Sequence, residues 1–191
     1  MKTLDNRIGL FSQHTRALQE ACANLDAFYS QVDKVVLALE EAFNANGKIL
    51  IAGNGGSAAE AQHLSDELVG RYRSDRPSYP AIALTADAMV LTCIGNDYGF
   101  EHIFSRQIEG LGQPGDIFIG LTTSGTSPNI LRAADTARDR GLKVIAFTGT
   151  SGPFRETADI AVESPSDKAS VDQELHLHAI HLICETLEPQ G

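Results

Sequence analysis

The sequence predicts an α/β fold: one open sheet of five parallel strands, helices covering both faces, and two further helices ahead of the first strand. Three observations lead there. Short runs such as "KILIAG" and "KVIAFTG" are apolar throughout rather than alternating, the pattern of strands buried on both faces. Segments with helical periodicity lie between most of these runs. Two of the runs lead through a glycine-rich or hydroxyl-rich loop into a helix, the usual order of a parallel sheet.

Taken in order, residues 5–46 carry two helices. Ile8, Phe11, Thr15, Leu18 and Cys22 recur at helical spacing, as do Val32, Val35, Val36, Leu39 and Phe43. Gly47 offers a stop after the second helix. "KILIAG" is the first strand, followed by a loop and a helix over 57–71. "YPAIALT" (79–85), "DIFIGL" (116–121), "KVIAFTG" (143–149) and "ADIAVES" (158–164) are the other four strands, and a helix over 171–187 closes the chain. No repeat, low-complexity tract or linker interrupts this order. The expectation is one domain over 1–191, with 1–46 as a helical pair and 47–191 as the α/β core.

Composition narrows the function. A chain of 191 residues is long enough for one sizeable core. Its formal net charge of -10 argues against a general nucleic-acid binder. It leaves room for an anionic small ligand, because backbone amides at helix N-termini bind phosphate without net positive charge. The three cysteines, Cys22, Cys93 and Cys184, form no CxxC pair, which suits a reducing compartment and a cytoplasmic protein. The N-terminal "MKTLDNRIGL" has no apolar signal core, and no apolar run is long enough to span a membrane.

Five stretches could carry chemistry. The loop Gly53-Asn54-Gly55-Gly56-Ser57 links a strand to a helix. Its glycines let backbone N–H groups approach a ligand; as plain structure it is a tight turn with Ser57 as N-cap. It is neither a Walker loop nor a dinucleotide fingerprint. The second loop, "LTTSGTSPNI", also follows a strand and opens a helix. There Ser127 is placed to cap, Pro128 suits the first turn, and Gly141 ends the helix near Arg140. A cap needs one hydroxyl, but Thr122, Thr123, Ser124, Thr126 and Ser127 supply five. Hydroxyls around helix amides make a phosphate cradle, and both loops fall at carboxyl ends of parallel strands, where open sheets bind ligands.

The third stretch is His63 with Glu67, at i and i+4 on one helix face beside the apolar Leu64 and Leu68. A solvated surface pair is the plain alternative, weakened by the helix starting at the glycine loop. The fourth, "DQELHLHAIHLICE", holds His176, His178 and His181. Gln173 and His181 lie eight residues apart, roughly 12 Å along a helix axis, so both could reach one ion or substrate between them. Spacing does not select among the three histidines, and His176 and His178 read as exposed or satisfied in the core. The fifth, "CIGNDYGFE", reads as an irregular turn through Gly95, Asn96, Asp97 and Gly99.

Together "GNGGSAAEAQHLSDELVGRYR", "IGNDYGFEHIFSRQ", "TTSGTSPNILRA" and "QELHLHAIH" resemble the sugar isomerase (SIS) family, in particular its phosphoheptose isomerases. The resemblance runs from Gly53 to His181 and fits the two leading helices. It implies an SIS-type three-layer α/β/α fold with flavodoxin-like strand order. It implies one zinc ion per subunit, held by His63, Glu67, Gln173 and His181, so it is the resemblance that picks out His181. It marks Glu67 and His181 as the acid–base pair. It places Asn54, Gly55, Gly56, Ser57, Glu67, Arg71, Asn96, Asp97, Thr122, Thr123, Ser124, Ser127 and Gln173 at substrate-binding positions.

The implied reaction converts sedoheptulose 7-phosphate to D-glycero-D-manno-heptose 7-phosphate through an enediol, the first step of ADP- or GDP-heptose precursor synthesis. The implied assembly is a cytoplasmic homotetramer that uses the N-terminal helices for packing and binds neither nucleic acid nor membrane. The chain departs from the family at Thr122-Thr123-Ser124, where Ser-Thr-Ser is common. It departs again at Ser170-Val171-Asp172-Gln173, where relatives often read Ala-Arg-Ile-Gln or Asp-Arg-Ile-Gln and Val171 takes the place of the Arg. Two other readings remain: a non-catalytic SIS module that binds sugar phosphate or a DnaA-type partner, and an isomerase of another phosphosugar. Retention of all four ligand positions speaks against the first.

Overall fold

The computed structural model of the chain describes residues 2–189; residues 1, 190 and 191, the ends of the expected 1–191 domain, lie outside it. Five strands form one parallel sheet in the order β2-β1-β3-β4-β5. They are β1 (Ile49–Gly53), β2 (Ala81–Ala83), β3 (Ile117–Thr122), β4 (Lys143–Thr148) and β5 (Ile160–Glu163). Every ladder is parallel, with Ile49 opposite both Ala81 and Ile117, and Thr122 opposite Thr148. The chain moves outward from β1 to β2, then returns to lay β3 on the other side of β1. That reversal opens a crevice beyond the carboxyl ends of β1 and β3, where sheets of this order hold ligands.

The uniform hydrophobicity of the strands has a direct structural cause. Ile49, Ile51, Ile117, Ile119, Leu121, Ile145 and Phe147 join the core under α2 (Asp26–Asn44), α3 (Gly56–Val69) and α8 (Ala169–Leu187). Their neighbours Leu50, Ala52, Phe118, Val144 and Ala146 join the core under α5 (Ser105–Leu111), α6 (Pro128–Asp139) and α7 (Phe154–Thr157). With both faces covered, each position must be apolar, and each full burial of an Ile, Leu or Phe contributes about 1.5–3 kcal/mol. Val171 is fully buried in the first of these cores, so an apolar residue suits the packing at the position where relatives often carry Arg.

The remaining helices are less enclosed. In α1 (Leu4–Ala21) only Ala21 is buried, while Leu4, Ile8, Leu10 and Phe11 are all exposed. In α4 (Ala88–Asp97) no residue is buried. Three local expectations need correction. "CIGNDYGFE" is not an irregular turn up to Asp97: Asp87 caps α4 through Met89 N and Val90 N, and the helix runs on through Gly95 and Asn96. Gly99, at φ +96, breaks it before a short 3-10 turn over Phe100–His102.

Ser57 is not the N-cap of α3; Gly55 is, at φ +57, a conformation that L side chains rarely adopt. The stop of α2 is carried by Asn46 in the left-handed region, with Asn46 N to Phe43 O and Gly47 N to Ala42 O closing a Schellman motif. Gly141, at φ +78, ends α6 in the same way, as its sequence position suggests.

Candidate active site

Both loops sit at the crevice. The first follows β1 and the second follows β3, and each opens a helix, so two N-terminal helix ends converge on one volume. Gly55 and Gly56 are exposed at the mouth. A side-chain pair locks the loops together. Asn54 Nδ2 donates to Asn129 Oδ1 at 2.9 Å, and Asn129 Nδ2 donates back to Asn54 Oδ1 at 2.8 Å. Asn129 is buried and its contribution was absent from the sequence reading. Its only signal there was an Asn in the first turn of a helix, which is too common to notice.

The second loop is built around Thr122, which is buried. Its Oγ1 lies 3.0 Å from Ser127 Oγ and 3.3 Å from Ser124 Oγ. Ser124 Oγ in turn accepts from Thr126 N at 3.3 Å and Thr126 Oγ1 at 3.1 Å. Ser127 holds the N-cap position of α6, but its hydroxyl makes no capping bond and turns to Thr122 instead. The hydroxyls therefore face one another around the loop as a mutually oriented set. Thr123 contributes its carbonyl, which accepts from Gly149 N at 3.2 Å. Beside this loop lies a cavity of about 410 Å³ lined by Thr123, Ser124, Gly149, Ser166, Asp167 and Asp172. A larger one of about 690 Å³ runs along α6 from Pro128 past Arg132 to Asp139, and none of the loop hydroxyls lines it.

Across the crevice α3 and α8 pack side by side. His63 Nε2 stands 3.1 Å from His181 Nε2, the rings nearly perpendicular at 80°. Glu67 Oε1 is 3.7 Å from His63 Nε2, as the i,i+4 spacing requires, and Asp66 Oδ1 is 3.6 Å from His63 Nδ1. The Tyr72 ring lies 6.0 Å from that of His181 at 29°. Gln173, one turn into α8, covers the glycine loop: a Cβ on Gly56 would collide with its side-chain amide.

No group of three or more His, Cys, Asp or Glu side chains that could hold a metal by itself is gathered among the described residues. The donors present are two facing imidazoles, a carboxylate at their side, and an amide seated on the loop. Zinc bound by two imidazoles at about 2.0–2.1 Å sets their nitrogens about 3.4 Å apart. The 3.1 Å spacing of His63 and His181 is close to that, so the donor chemistry fits.

The other positions are less tightly drawn in. Arg71 is exposed just beyond α3, while Arg76, unremarked in the sequence, donates to Glu67 O at 2.7 Å and Leu68 O at 3.0 Å and so caps the helix that carries Glu67. Asn96 and Asp97 bond each other at 2.7 Å at the exposed end of α4. Asp172 is buried, which, with the nearby charge of Asp167, pushes its carboxyl up to about 6. His178 is half-buried beside Phe28 and Tyr29. His176 departs from expectation: it is fully buried, yet neither ring nitrogen has a hydrogen-bond partner.

Known proteins are similar to this chain in sequence and fold. The sequence model of the SIS domain matches residues 11–149, a span that includes both loops and His63 but stops before α8. Curated relatives match over more of the chain. A phosphoheptose isomerase of Bradyrhizobium sp. (strain ORS 278) is 47% identical over 186 residues, covering 97% of this chain and 94% of its own. One from Sulfurimonas denitrificans is 48% identical over 168 residues, covering 87% and 85%. Among solved structures, a phosphoheptose isomerase from Francisella tularensis superposes with a TM-score of 0.86 at 38% identity, covering 97% of each chain. One from Neisseria gonorrhoeae gives 0.85 at 38% identity, covering 96% of this chain and 98% of its own. With the family match over most of its length and full-length relatives near half identity, the chain belongs to the SIS domain family and, within it, to the phosphoheptose isomerases.

Proposed function

We propose that the protein interconverts sedoheptulose 7-phosphate and D-glycero-D-manno-heptose 7-phosphate. One observation carries the reading. Gln173 of the helix that bears His181 is packed onto the glycine loop of the helix that bears His63 and Glu67. A phosphate-binding end and an acid–base end are thereby joined in one crevice. The phosphate, held by loop amides and the Thr122, Ser124 and Ser127 hydroxyls, orients the chain of the sugar, and such anchoring lowers the entropic part of the barrier.

At the other end Glu67 and His181 act as the proton-transfer pair. A base takes a proton from C1 of the ketose and returns it to C2, and a hydroxyl proton passes between the two oxygens. The enediol is the intermediate, and charge builds on its oxygens. One zinc ion per subunit, held by His63, Glu67, Gln173 and His181, would stabilise that charge as a Lewis acid. His63 belongs to this reading as a ligand rather than a base.

The reading includes a homotetramer in the cytoplasm. Supporting observations are the exposed apolar side chains of α1 and the three free thiols of Cys22, Cys93 and Cys184. Among the described residues, no helix is long and apolar enough to cross a membrane.

The test is turnover of sedoheptulose 7-phosphate by the purified protein and its Glu67→Gln variant, with metal content and sugar-phosphate affinity measured on both. Gln offers an oxygen but accepts no proton. Turnover should fall by at least about 10²-fold, the lower end of what general acid–base catalysis supplies, with metal and affinity retained. Near-normal turnover in the variant removes Glu67 from proton transfer.

A further inference from the structure

Behind the active-site crevice a second pair of side chains joins the same two helices. Glu60 lies on α3 one turn after Ser57 and one turn before His63. His176 lies on α8 one turn after Gln173. Their side chains are 10% and 0% exposed, and Glu60 Oε2 faces His176 Nδ1 at 3.9 Å. Neither of these atoms has a hydrogen-bond partner. Folded proteins rarely leave buried polar atoms unpaired. Here two lie face to face with complementary chemistry, a carboxyl that can donate and an imidazole nitrogen that can accept. A shift of about 1 Å would bring them to hydrogen-bond distance.

We propose that Glu60 and His176 are positioning residues: a buried clasp sharing one proton across the α3–α8 seam, which holds the glycine loop and the two ligand-bearing helices in register. The inference rests on the isomerase reading of the crevice. Neither side chain lines the crevice, so their action is through Ser57 and His63 on one helix and Gln173 on the other.

The surroundings fit a neutral, singly protonated pair. Burial pushes the Glu60 carboxyl up to about 7, against a smaller opposing effect of a hydrogen bond from Ser57 on its own helix. Burial pulls His176 down to about 4, opposed by the backbone of Thr148 on β4. The Phe147 ring meets His176 edge-on at 5.8 Å, and Asp172 sits one turn earlier on α8. Below about pH 7 the single proton is on the carboxyl, opposite the imidazole lone pair.

The first measurement needs no turnover: nitrogen-15 spectra of ring-labelled histidines in the intact protein across pH 4–8. The His176 ring should stay neutral over most of that range and show a step near pH 7 as Glu60 loses its proton. Glu60→Gln should abolish that step and leave the ring neutral. A ring that charges near 6.5, or a step that persists in Glu60→Gln, overturns the clasp. The second measurement is kinetic. Glu60→Gln keeps a donor toward Nδ1 and should hold kcat/KM within about 3-fold, whereas Glu60→Leu should lower it by about 10–100-fold, the range typical of residues that orient ligands from behind. Equal losses in the two variants, or none in Glu60→Leu, also overturn it. If Glu60→Leu does not fold, the spectra of the wild-type and Gln forms decide. A wild-type protein without turnover would sink the isomerase reading, while the same spectra still decide the clasp.

Discussion

Replacing Gly56 with Ala separates stability from function. A Cβ there would collide most closely with Nε2 of Gln173 and would lie 2.9 Å from both Cδ and Oε1, where ordinary contact is 3.4–4 Å, so the end of the amide must retreat by about 1 Å. The obstacle is the end of a side chain, which can turn away at small cost to the fold. Ala is also favoured over Gly within helices by up to about 1 kcal/mol, and Gly56 opens α3. The melting temperature should therefore change by less than about 4 °C in either direction. Function should not be spared, because misplacing a positioning group by about 1 Å can cost about 10²-fold. The assay is kcat/KM for sedoheptulose 7-phosphate alongside a thermal melt, for Gly56→Ala, Gln173→Ala and the double variant. If the damage passes through Gln173, the double variant matches Gln173→Ala alone, since coupled sites are not additive. Wild-type kcat/KM in Gly56→Ala, or strictly additive losses, would refute the reasoning.

Three further outcomes are expected. Asn129→Ala leaves Asn54 without its reciprocal partner and should destabilise the protein by about 1–3 kcal/mol while raising KM more than it lowers kcat, as read by denaturation and steady-state kinetics. Stability against pH should reveal the buried pair. The Glu60 carboxyl is raised from 4.5 to about 7 on folding, so its contribution falls as pH rises through that window; His176 is lowered from 6.5 to about 4, so its contribution rises with pH between 4 and 6.5. The two slopes, each at most about 1.4 kcal/mol per pH unit, oppose each other in the wild type. Removing Glu60 with Gln should leave the rising limb, and no difference in slope between the two proteins would contradict the assignment. Finally, Phe11→Asp on the exposed face of α1 should shift the assembly to smaller species by light scattering, and an unchanged mass would show that this face is not the contact.

The sequence by itself determined the elements and whatever depends on local spacing. Continuous apolar runs between helical segments announced a parallel sheet because burial on both faces leaves no polar position along Ile49–Gly53 or along residues 117–121. The i,i+4 spacing put Glu67 beside His63 since one helix fixes their separation. The five hydroxyls of the second loop marked it as more than a cap. What lay beyond local spacing was decided by tertiary packing. Residues 173–181 give no sign of which histidine turns toward another helix. The resemblance to a family named His181; the packing of α8 on α3 sets it 3.1 Å from His63 and sends His176 inward to Glu60. The Asn54–Asn129 lock joins positions 75 residues apart, and Gly56 meets Gln173 across still more of the chain. Such contacts depend on the distance between elements after the sheet has formed, and short-range periodicity carries no information about that distance.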